Sequence, residues 1–263
     1  MEIFLKENER IDDLEFNKLK IIQNKDWFCF GIDSIILTDF AKNIKENLNV
    51  IDLGTGTGII PILLSEKTNK NHFIGIEIQK EVADMASRSV KLNRLENKIE
   101  ILNMNILELK NKYKNGSFDV VITNPPYKKI NTGLINDNRQ KIISRHEITA
   151  SLEDFIEVAS FLLKDLGEFY MVHRPDRLVD IFEAMRKNKI EPKKIKFVYS
   201  NKNKKANLIL IKGIKNAKPF LEFEKNLYIY KKDGKYTDDI LKIYNKLWKK
   251  SKKNVKNSKK RYL

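Results

Sequence analysis

The chain of 263 residues is long enough for one substantial α/β domain with a small appendage. Its single cysteine, Cys29, and three scattered histidines give no basis for a disulfide framework or a zinc site, so the sequence predicts no metal. No apolar run could span a bilayer and the acidic N-terminus lacks a signal-peptide pattern, so we expect a cytoplasmic protein with no membrane partner.

The net charge of +16 is concentrated in the C-terminal third of the chain. Residues 201–263 carry 20 basic and 5 acidic side chains, whereas residues 1–100 carry 14 and 17. A genome of biased base composition would enrich lysine throughout, which does not fit a slightly acidic first hundred residues. The asymmetry therefore favours a polyanionic partner, above all nucleic acid, over a merely solubilising tail.

Residues 1–47 are predicted to form a small N-terminal segment that packs on the main domain. The pattern indicates a hairpin followed by a helix. The predicted strands are Lys18–Gln23 and Trp27–Phe30, and the helix is expected to begin at Ile35 with Asp33 or Ser34 as its cap.

Strands and helices alternate through a predicted main domain of residues 48–250. The alternation indicates a doubly wound, mostly parallel sheet of seven strands, which is a Rossmann-like α/β fold. Residues 128–149 are predicted to be a loop, and residues 251–263 a basic tail. The predicted strands are Val50–Leu53, His72–Glu77, Ile99–Asn103, Phe118–Thr123, Gly167–His173, Ile195–Tyr199 and Ala206–Ile211. The predicted helices run from the glycine turn to about Lys67, then over Glu81–Asn93, Leu152–Leu163 with Ser151 as N-cap, Asp176–Lys187 and Asp238–Lys250.

A glycine-rich turn follows the first strand of the main domain. The run Asp52-Leu-Gly-Thr-Gly-Thr-Gly58 ends a strand and opens a helix, which is the context of a nucleotide-type cofactor site. Glycines let the backbone turn sharply and approach a ligand with no Cβ in the way. A dinucleotide site needs its third glycine one residue later, where Ile59 stands, so no diphosphate anchor is indicated. A plain tight connection and NAD(P) binding are the weaker alternatives.

This run resembles motif I of class I S-adenosylmethionine-dependent methyltransferases. The resemblance implies that Asp52, Gly54, Gly56 and Gly58 contact the methionine part of S-adenosylmethionine, with S-adenosylhomocysteine as the product. It also implies that Glu77, at the end of the next strand, accepts both ribose hydroxyls.

The end of the third strand departs from the pattern of that family. The family commonly presents an aspartate to the adenine amine, whereas the matching residue here is Asn105. Its amide oxygen can still accept a hydrogen bond. Ile106 would then pack against the adenine face, so we expect cofactor binding to survive, although more weakly.

A second turn carries the residues predicted to be catalytic. Asn124-Pro-Pro-Tyr127 follows a buried strand and makes a small, rigid, polar pocket suited to a planar group that bears an NH2. It resembles motif IV of amino-group methyltransferases, which act on exocyclic nitrogens of adenine or guanine or on glutamine side chains. The resemblance implies that the Asn124 amide oxygen and the Pro125 carbonyl accept the amine hydrogens, and that Tyr127 stacks on the base. A purely structural turn is the alternative.

A wider resemblance covers roughly residues 10–245. Three segments accompany the Asn-Pro-Pro-Tyr turn in order: Phe28–Leu37, Ser144–Glu147 and Leu227–Thr237. Together they are similar to the bacterial tRNA1(Val) adenine-N6 methyltransferase family. This implies methyl transfer to N6 of an adenine near the anticodon, so the expected partner is RNA, and specifically tRNA.

The same resemblance suggests residues that would contact the substrate. Tyr127, Lys128, Arg145 and His146 are candidates for the RNA base or its phosphates, although Arg145 and His146 could equally be an incidental basic pair on a loop. The basic tail could hold RNA phosphates with an affinity that falls as salt rises.

Other functions stay open. A release-factor glutamine N5-methyltransferase shares the turn but carries a helical domain upstream, where this chain is predicted to have a hairpin and a helix. A DNA adenine N6-methyltransferase would carry a target-recognition domain, for which no segment is long enough, and an rRNA guanine N2-methyltransferase is a further option. A non-catalytic RNA-binding protein with a vestigial cofactor pocket is disfavoured by the intact Gly54, Gly56, Glu77 and Asn124, and only Asn105 is in its favour.

Overall fold

A mostly parallel β-sheet lies at the centre of the computed structural model, which describes residues 5–14, 17–27, 29–66, 68, 71–127 and 150–244. The strands are β1 (Glu9–Asp13), β2 (Lys20–Asn24), β3 (Asn49–Leu53), β4 (His72–Glu77), β5 (Ile99–Asn103), β6 (Phe118–Thr123), β7 (Leu163–His173), β8 (Ile190–Tyr199), β9 (Ala206–Lys215), β10 (Glu222–Phe223) and β11 (Leu227–Tyr228).

Seven long strands of this sheet lie in the order β8-β9-β7-β6-β3-β4-β5. Neighbours from β7 to β5 run parallel, and β9 is antiparallel to both β7 and β8. The two-residue strands β10 and β11 pair with β8 at the outer edge, so the described part of the sheet has nine strands. The predicted doubly wound sheet is confirmed, with these two short strands added.

Helices cover both faces of the sheet. They are α1 (Ile32–Phe40), α2 (Ile59–Ser65), α3 (Lys80–Leu92), α4 (Leu109–Lys112), α5 (Leu152–Leu162) and α6 (Leu178–Lys187). Alternate residues of β3 and β6 enter opposite cores: Val50 and Val120 pack under α1–α3, whereas Ile51 and Val121 pack under α4–α6. Both cores are built largely from branched aliphatic side chains.

The N-terminal hairpin confirms the predicted strand Lys18–Gln23 as β2, whereas the predicted strand Trp27–Phe30 is wrong and Glu9–Asp13 pairs with β2 in its place. β1 pairs with β2, whereas Trp27 and residues 29–30 are not in a strand. The backbone N–H of Phe30 instead donates to the Gln23 side-chain oxygen (2.9 Å), so it bonds to a side chain where a strand would bond to a backbone carbonyl. An Arg88–Glu9 ion pair (2.6 Å) and the Ile22 N–H to Ser89 Oγ bond (2.9 Å) then fix the hairpin to α3.

The helix ends can also be compared with the sequence pattern. Ser151 caps α5 as predicted, through a reciprocal capping box with Asp154. The predicted cap of α1 is wrong: the helix begins at Ile32 after Gly31, with no side-chain cap, so Asp33 lies inside its first turn. No helix in the described ranges is long and apolar enough to cross a membrane. The same residues contain no cluster of three or more His, Cys, Asp or Glu arranged to hold a metal.

The C-terminal segment packs on the α1 face of the sheet. Residues 238–244 are helical, as predicted for the start of Asp238–Lys250, and Ile240 is fully buried in the core with Ile35 and Leu37. The predicted loop over residues 128–149 and the tail over 251–263 lie outside the described residues, and so do Lys128, Arg145 and His146.

Candidate active site

The two predicted turns meet at one edge of the sheet. β3 and β6 are parallel neighbours in which Leu53 lies beside Thr123, and the Thr123 hydroxyl donates to the Leu53 carbonyl (2.8 Å). The glycine turn therefore leaves β3 directly beside the Asn-Pro-Pro-Tyr turn that leaves β6. Ligands of doubly wound sheets bind at this carboxyl edge, so both turns face the same crevice.

Backbone geometry requires glycine in the first turn. Gly54, Gly56 and Gly58 have φ angles of +73°, +56° and +82°, in the left-handed region where a side chain is strained. Beyond its chain neighbours, a Cβ built on Gly56 would have no protein atom within 4 Å, so the turn faces open space at that residue, whereas a Cβ on Gly54 or Gly58 would lie against Phe155 or Ala86. The turn is thus shaped to let a ligand approach the backbone.

Glu77 ties the end of β4 to the glycine turn. One carboxylate oxygen accepts the Gly56 N–H (3.0 Å) and the other accepts the Gln79 N–H (2.9 Å). The side chain is only 6% exposed. A carboxylate oxygen can accept more than one hydrogen bond, so Glu77 has the chemistry to accept ribose hydroxyls while it holds the turn in place.

Asp52 is a buried carboxylate without an ordinary partner. It is 2% exposed, and neither oxygen accepts a hydrogen bond of normal geometry from the described residues. Burial raises the pKa of Asp52 to about 7, the neighbouring Thr55 hydroxyl offsets part of this rise, and the charge of Glu77 adds to it. A buried acid with unused acceptors fits the ammonium group of a bound S-adenosylmethionine.

Asp52→Asn is expected to stabilise the cofactor-free protein at pH 8. Since the ordinary pKa is 3.8, the folded state binds more protons than the unfolded chain between about pH 4 and 7, so stability falls as pH rises through that window. Asparagine carries no charge, so the variant avoids the free-energy cost of keeping a buried carboxylate ionised in the folded state, which is up to about 4 kcal/mol at pH 8. Urea unfolding at pH 8 should show this gain, and the gain should shrink towards pH 4. The variant should also bind S-adenosylmethionine more weakly, and an equal gain at both pH values would contradict the account.

The adenine side of the site is less open than the sequence suggested. The Asn105 amide oxygen accepts the Leu107 N–H (3.0 Å) and so caps a short 3-10 turn, Ile106–Glu108. Ile106 is 6% exposed and packs in the core under α4–α6. A role for either residue in holding adenine stays a prediction.

A hydrogen-bonded network holds the Asn124 side chain. Its amide nitrogen donates to Asp33 Oδ2 and to Ser34 Oγ, both at 3.2 Å. The Tyr127 hydroxyl lies 2.7 Å from Asn124 Oδ1 and 2.9 Å from Asp33 Oδ2, and can donate its one hydrogen to either. The amide is therefore held with its nitrogen towards α1 and its oxygen towards Tyr127, and this oxygen can accept one more hydrogen.

Tyr127 is held as a neutral phenol. Burial raises its pKa far above the ordinary value, and the nearby Asp33 carboxylate adds to the rise. Its ring meets His173 edge to face, with the ring centroids 5.1 Å apart. Burial also lowers the pKa of His173, which is 1% exposed and belongs to the packing behind the turn.

Asp33 is the site residue that sequence reasoning missed. The pattern assigned it to helix capping, but its carboxylate receives the donors of a turn 91 residues further along the chain. Gly31 leaves room for it, since a Cβ at residue 31 would lie 2.6 Å from Asp33 Oδ1. Its location in the segment that resembles the tRNA-modifying family was the available signal.

Asp33→Ala is expected to lower kcat about 10²-fold, because Asn124 would lose the partner that fixes its orientation. The Kd for S-adenosylmethionine should stay within twofold of wild type. Asp33→Asn keeps an acceptor oxygen and should recover part of the loss, as expected for a positioning residue. Single-turnover assays measure the rate of transfer and calorimetric titration measures the Kd. A wild-type kcat for Asp33→Ala would show that Asp33 does not position Asn124 for catalysis.

Solved structures share this fold at low sequence identity. A predicted O-methyltransferase from Agrobacterium tumefaciens has a TM-score of 0.66 and 20% identity, covering 81% of this chain and 95% of its own. The 16S rRNA N2 G1207 methyltransferase of T. thermophilus, solved with AdoMet and guanosine, has a TM-score of 0.56 and 16% identity, covering 80% of this chain and 52% of its own. The sheet order, the glycine turn and the Asn-Pro-Pro-Tyr turn define a class I S-adenosylmethionine-dependent methyltransferase.

A family model of the methyltransferase small domain matches residues 31–191. The chain belongs to this family, and it is an N-methyltransferase that uses S-adenosylmethionine. A Porphyromonas gingivalis protein named tRNA1(Val) (adenine(37)-N6)-methyltransferase is 31% identical over 177 residues, covering 65% of this chain and 68% of its own. A Cytophaga hutchinsonii protein of the same name is 21% identical over 230 residues, covering 87% of this chain and 94% of its own.

Proposed function

We propose that the protein methylates the exocyclic N6 amine of an adenine in tRNA, beside the anticodon. The observation that supports this most is the fixed Asn124 amide at the carboxyl edge of β6, which presents an acceptor oxygen next to the cofactor turn. Relatives named for this reaction support the choice of substrate. A cytoplasmic location is part of the proposal, because tRNA is found there.

The chemistry that we propose needs alignment more than proton transfer. An aromatic NH2 is a poor nucleophile, because its lone pair is delocalised into the ring. In the proposed mechanism Asn124 and Pro125 accept its two hydrogens and so favour a pyramidal nitrogen with its lone pair exposed. S-adenosylmethionine supplies an electrophilic methyl group on a sulfonium. No strong general base is required, since the proton can leave after transfer.

Residues around the pocket would hold the base. We propose that the ring of Tyr127 forms one wall, held from behind by its contact with His173. We further propose that Lys128, Arg145 and His146 contact the RNA, and that the basic tail binds its phosphates. In the same proposal Asp52, the three turn glycines, Glu77, Asn105 and Ile106 hold the cofactor.

Methylation assays with one substrate class at a time distinguish this proposal from its alternatives. The protein is incubated with labelled S-adenosylmethionine and, separately, with total tRNA, rRNA, genomic DNA and release factors, followed by nucleoside mass spectrometry. We expect label in tRNA as N6-methyladenosine, and none for Asn124→Ala. Label in release factors would instead support glutamine N5-methylation. N2-methylguanine in rRNA would support the rRNA guanine N2-methyltransferase, and N6-methyladenine in DNA would support the DNA adenine N6-methyltransferase. Binding of tRNA without any transfer would support a vestigial pocket.

A further inference from the structure

We propose that a second surface, about 19 Å from the catalytic turn, binds unpaired nucleotides of the RNA substrate. We call it the tyrosine–lysine surface, and it consists of Tyr230, Tyr236, Lys202, Lys204 and Lys205. The tyrosines would stack on bases and the lysines would pair with phosphates. This inference rests on the proposed function, and it assigns a role to a segment that the catalytic site does not use.

Strand directions place this surface on the catalytic edge of the sheet. β8 and β7 are both antiparallel to β9, so β8 ends at the same edge as β7 and β6. β11 pairs in parallel with the last residues of β8, and the Tyr230 N–H donates to the Ser200 carbonyl (2.8 Å). Four strand spacings separate β6 from β11, which gives about 19 Å. A strand of about six stacked nucleotides spans that distance.

The tyrosine rings form a stack with an exposed end. Tyr230 and Tyr236 lie with centroids 5.4 Å apart and planes 12° apart, and Tyr236 stacks in turn on Tyr244 at 5.8 Å. Tyr230 is 39% exposed and Tyr236 37%. No described aromatic ring covers the second face of Tyr230. An exposed flat ring at the end of a preformed stack is the platform on which single-stranded bases bind.

Lysines with no ion-pair partner lie beside this stack. The turn between β8 and β9 carries Lys202, Lys204 and Lys205, all exposed and without a salt bridge to any described residue. In the tyrosine segment, Lys231 pairs with Asp238 at 2.8 Å and Lys235 lies 3.6 Å from Asp233, whereas the exposed Lys232 has no salt bridge to a described residue. The turn therefore supplies most of the unpaired positive charge, while the tyrosine segment supplies the rings. This separation makes the two contributions measurable independently.

Folding alone does not account for the exposed rings. The segment is already anchored by Ile229 and Ile240, which are 3% and 0% exposed. Backbone bonds from the Ile229 N–H to the Tyr199 carbonyl (2.9 Å) and from the Tyr230 N–H to the Ser200 carbonyl (2.8 Å) hold it to β8 and its turn. RNA is favoured over a protein partner because aromatic faces and unpaired lysines occur together on the edge where the proposed target base binds.

Salt-dependent binding of tRNA tests the proposal. Fluorescence anisotropy with labelled tRNA is measured from low to moderate salt for wild type, Tyr230→Ala, Tyr230→Leu, Tyr230→Trp and a triple alanine variant at Lys202, Lys204 and Lys205. Tyr230→Ala and Tyr230→Leu should each weaken binding about fivefold or more at every salt concentration, with the salt slope unchanged. Tyr230→Trp should match wild type. The triple variant should reduce the slope by about two to three.

Phe223→Ala is the matched control. Phe223 is an exposed aromatic (69%) that also lies alongside β8, but it pairs near the middle of that strand and not at its carboxyl end. It should bind tRNA as wild type does. Wild-type affinity in both Tyr230→Ala and Tyr230→Leu, or an unchanged slope in the triple variant, would overturn the proposal. Equal loss in Phe223→Ala would show a general effect of aromatic surface and would also overturn it. Failure of the proposed function is a different result, since wild-type protein would then transfer no methyl group to tRNA, whatever the tRNA affinities of the variants.

Discussion

Asn124→Ala is expected to lower kcat about 10³-fold and to leave the Kd for S-adenosylmethionine unchanged. The amide oxygen is the proposed acceptor for one hydrogen of the reacting amine, and alanine leaves no acceptor at that position. Asn124 bonds to Asp33, Ser34 and Tyr127, whereas Glu77 holds the glycine turn through the Gly56 N–H, so the cofactor site should persist. Single-turnover methylation and calorimetry measure the two quantities.

A control separates this effect from unfolding. Asn97 is an exposed asparagine in the turn between α3 and β5, at the amino end of that strand and away from both proposed RNA contacts, so Asn97→Ala should keep both kcat and cofactor affinity. Thermal melting of both variants should stay within a few degrees of wild type, because Asn124 is only partly buried. Normal turnover by Asn124→Ala would contradict the proposed mechanism, however well the protein folds.

Glu77→Ala is expected to raise the Kd for S-adenosylmethionine about 10²-fold or more. Two charge-assisted hydrogen bonds to the ribose would be lost, each worth about 1.5–3 kcal/mol. The Gly56 and Gln79 N–H groups would also lose their acceptor, so the glycine turn would relax. Calorimetric titration with S-adenosylmethionine measures the affinity, and urea unfolding measures the accompanying loss of stability.

Two further variants make this result specific. Glu77→Gln keeps one acceptor oxygen for the backbone, so it should fold better than Glu77→Ala and still bind the cofactor weakly. Glu100→Gln changes an exposed carboxylate on the neighbouring strand β5 and should leave the affinity unchanged. Wild-type affinity in a folded Glu77→Gln protein would rule out Glu77 as the ribose ligand.

Local patterns predicted the parts of the site that depend on local physics. The glycine turn was predictable because three alternate positions with positive φ require glycine there, and the turn stands between a buried strand and a helix. Placement of the Asn-Pro-Pro-Tyr turn beside it followed from the parallel order of the sheet. The capping box of α5 was predictable because Ser151 and Asp154 are three residues apart.

Contacts distant in sequence were not predictable in this way. Asp33 has the spacing of a helix cap, and nothing within its own segment indicates that its carboxylate binds Asn124 and Tyr127 more than ninety residues away. The pairing of β1 with β2 was missed because β1 is short, polar and largely exposed, so it carries no clear alternation. The stacked tyrosines were visible only as a family segment, since β11 is two residues long.

One measurement tests the central claim most directly. Unmodified tRNA1(Val), the substrate named for its relatives, is incubated with the protein and S-adenosylmethionine, alongside a transcript with guanine in place of adenine 37. Mass spectrometry of the digested RNA should find one N6-methyladenosine per tRNA in the first transcript and none in the second. Equal methylation of both transcripts, or a methyl group on any atom other than adenine N6, would contradict the account.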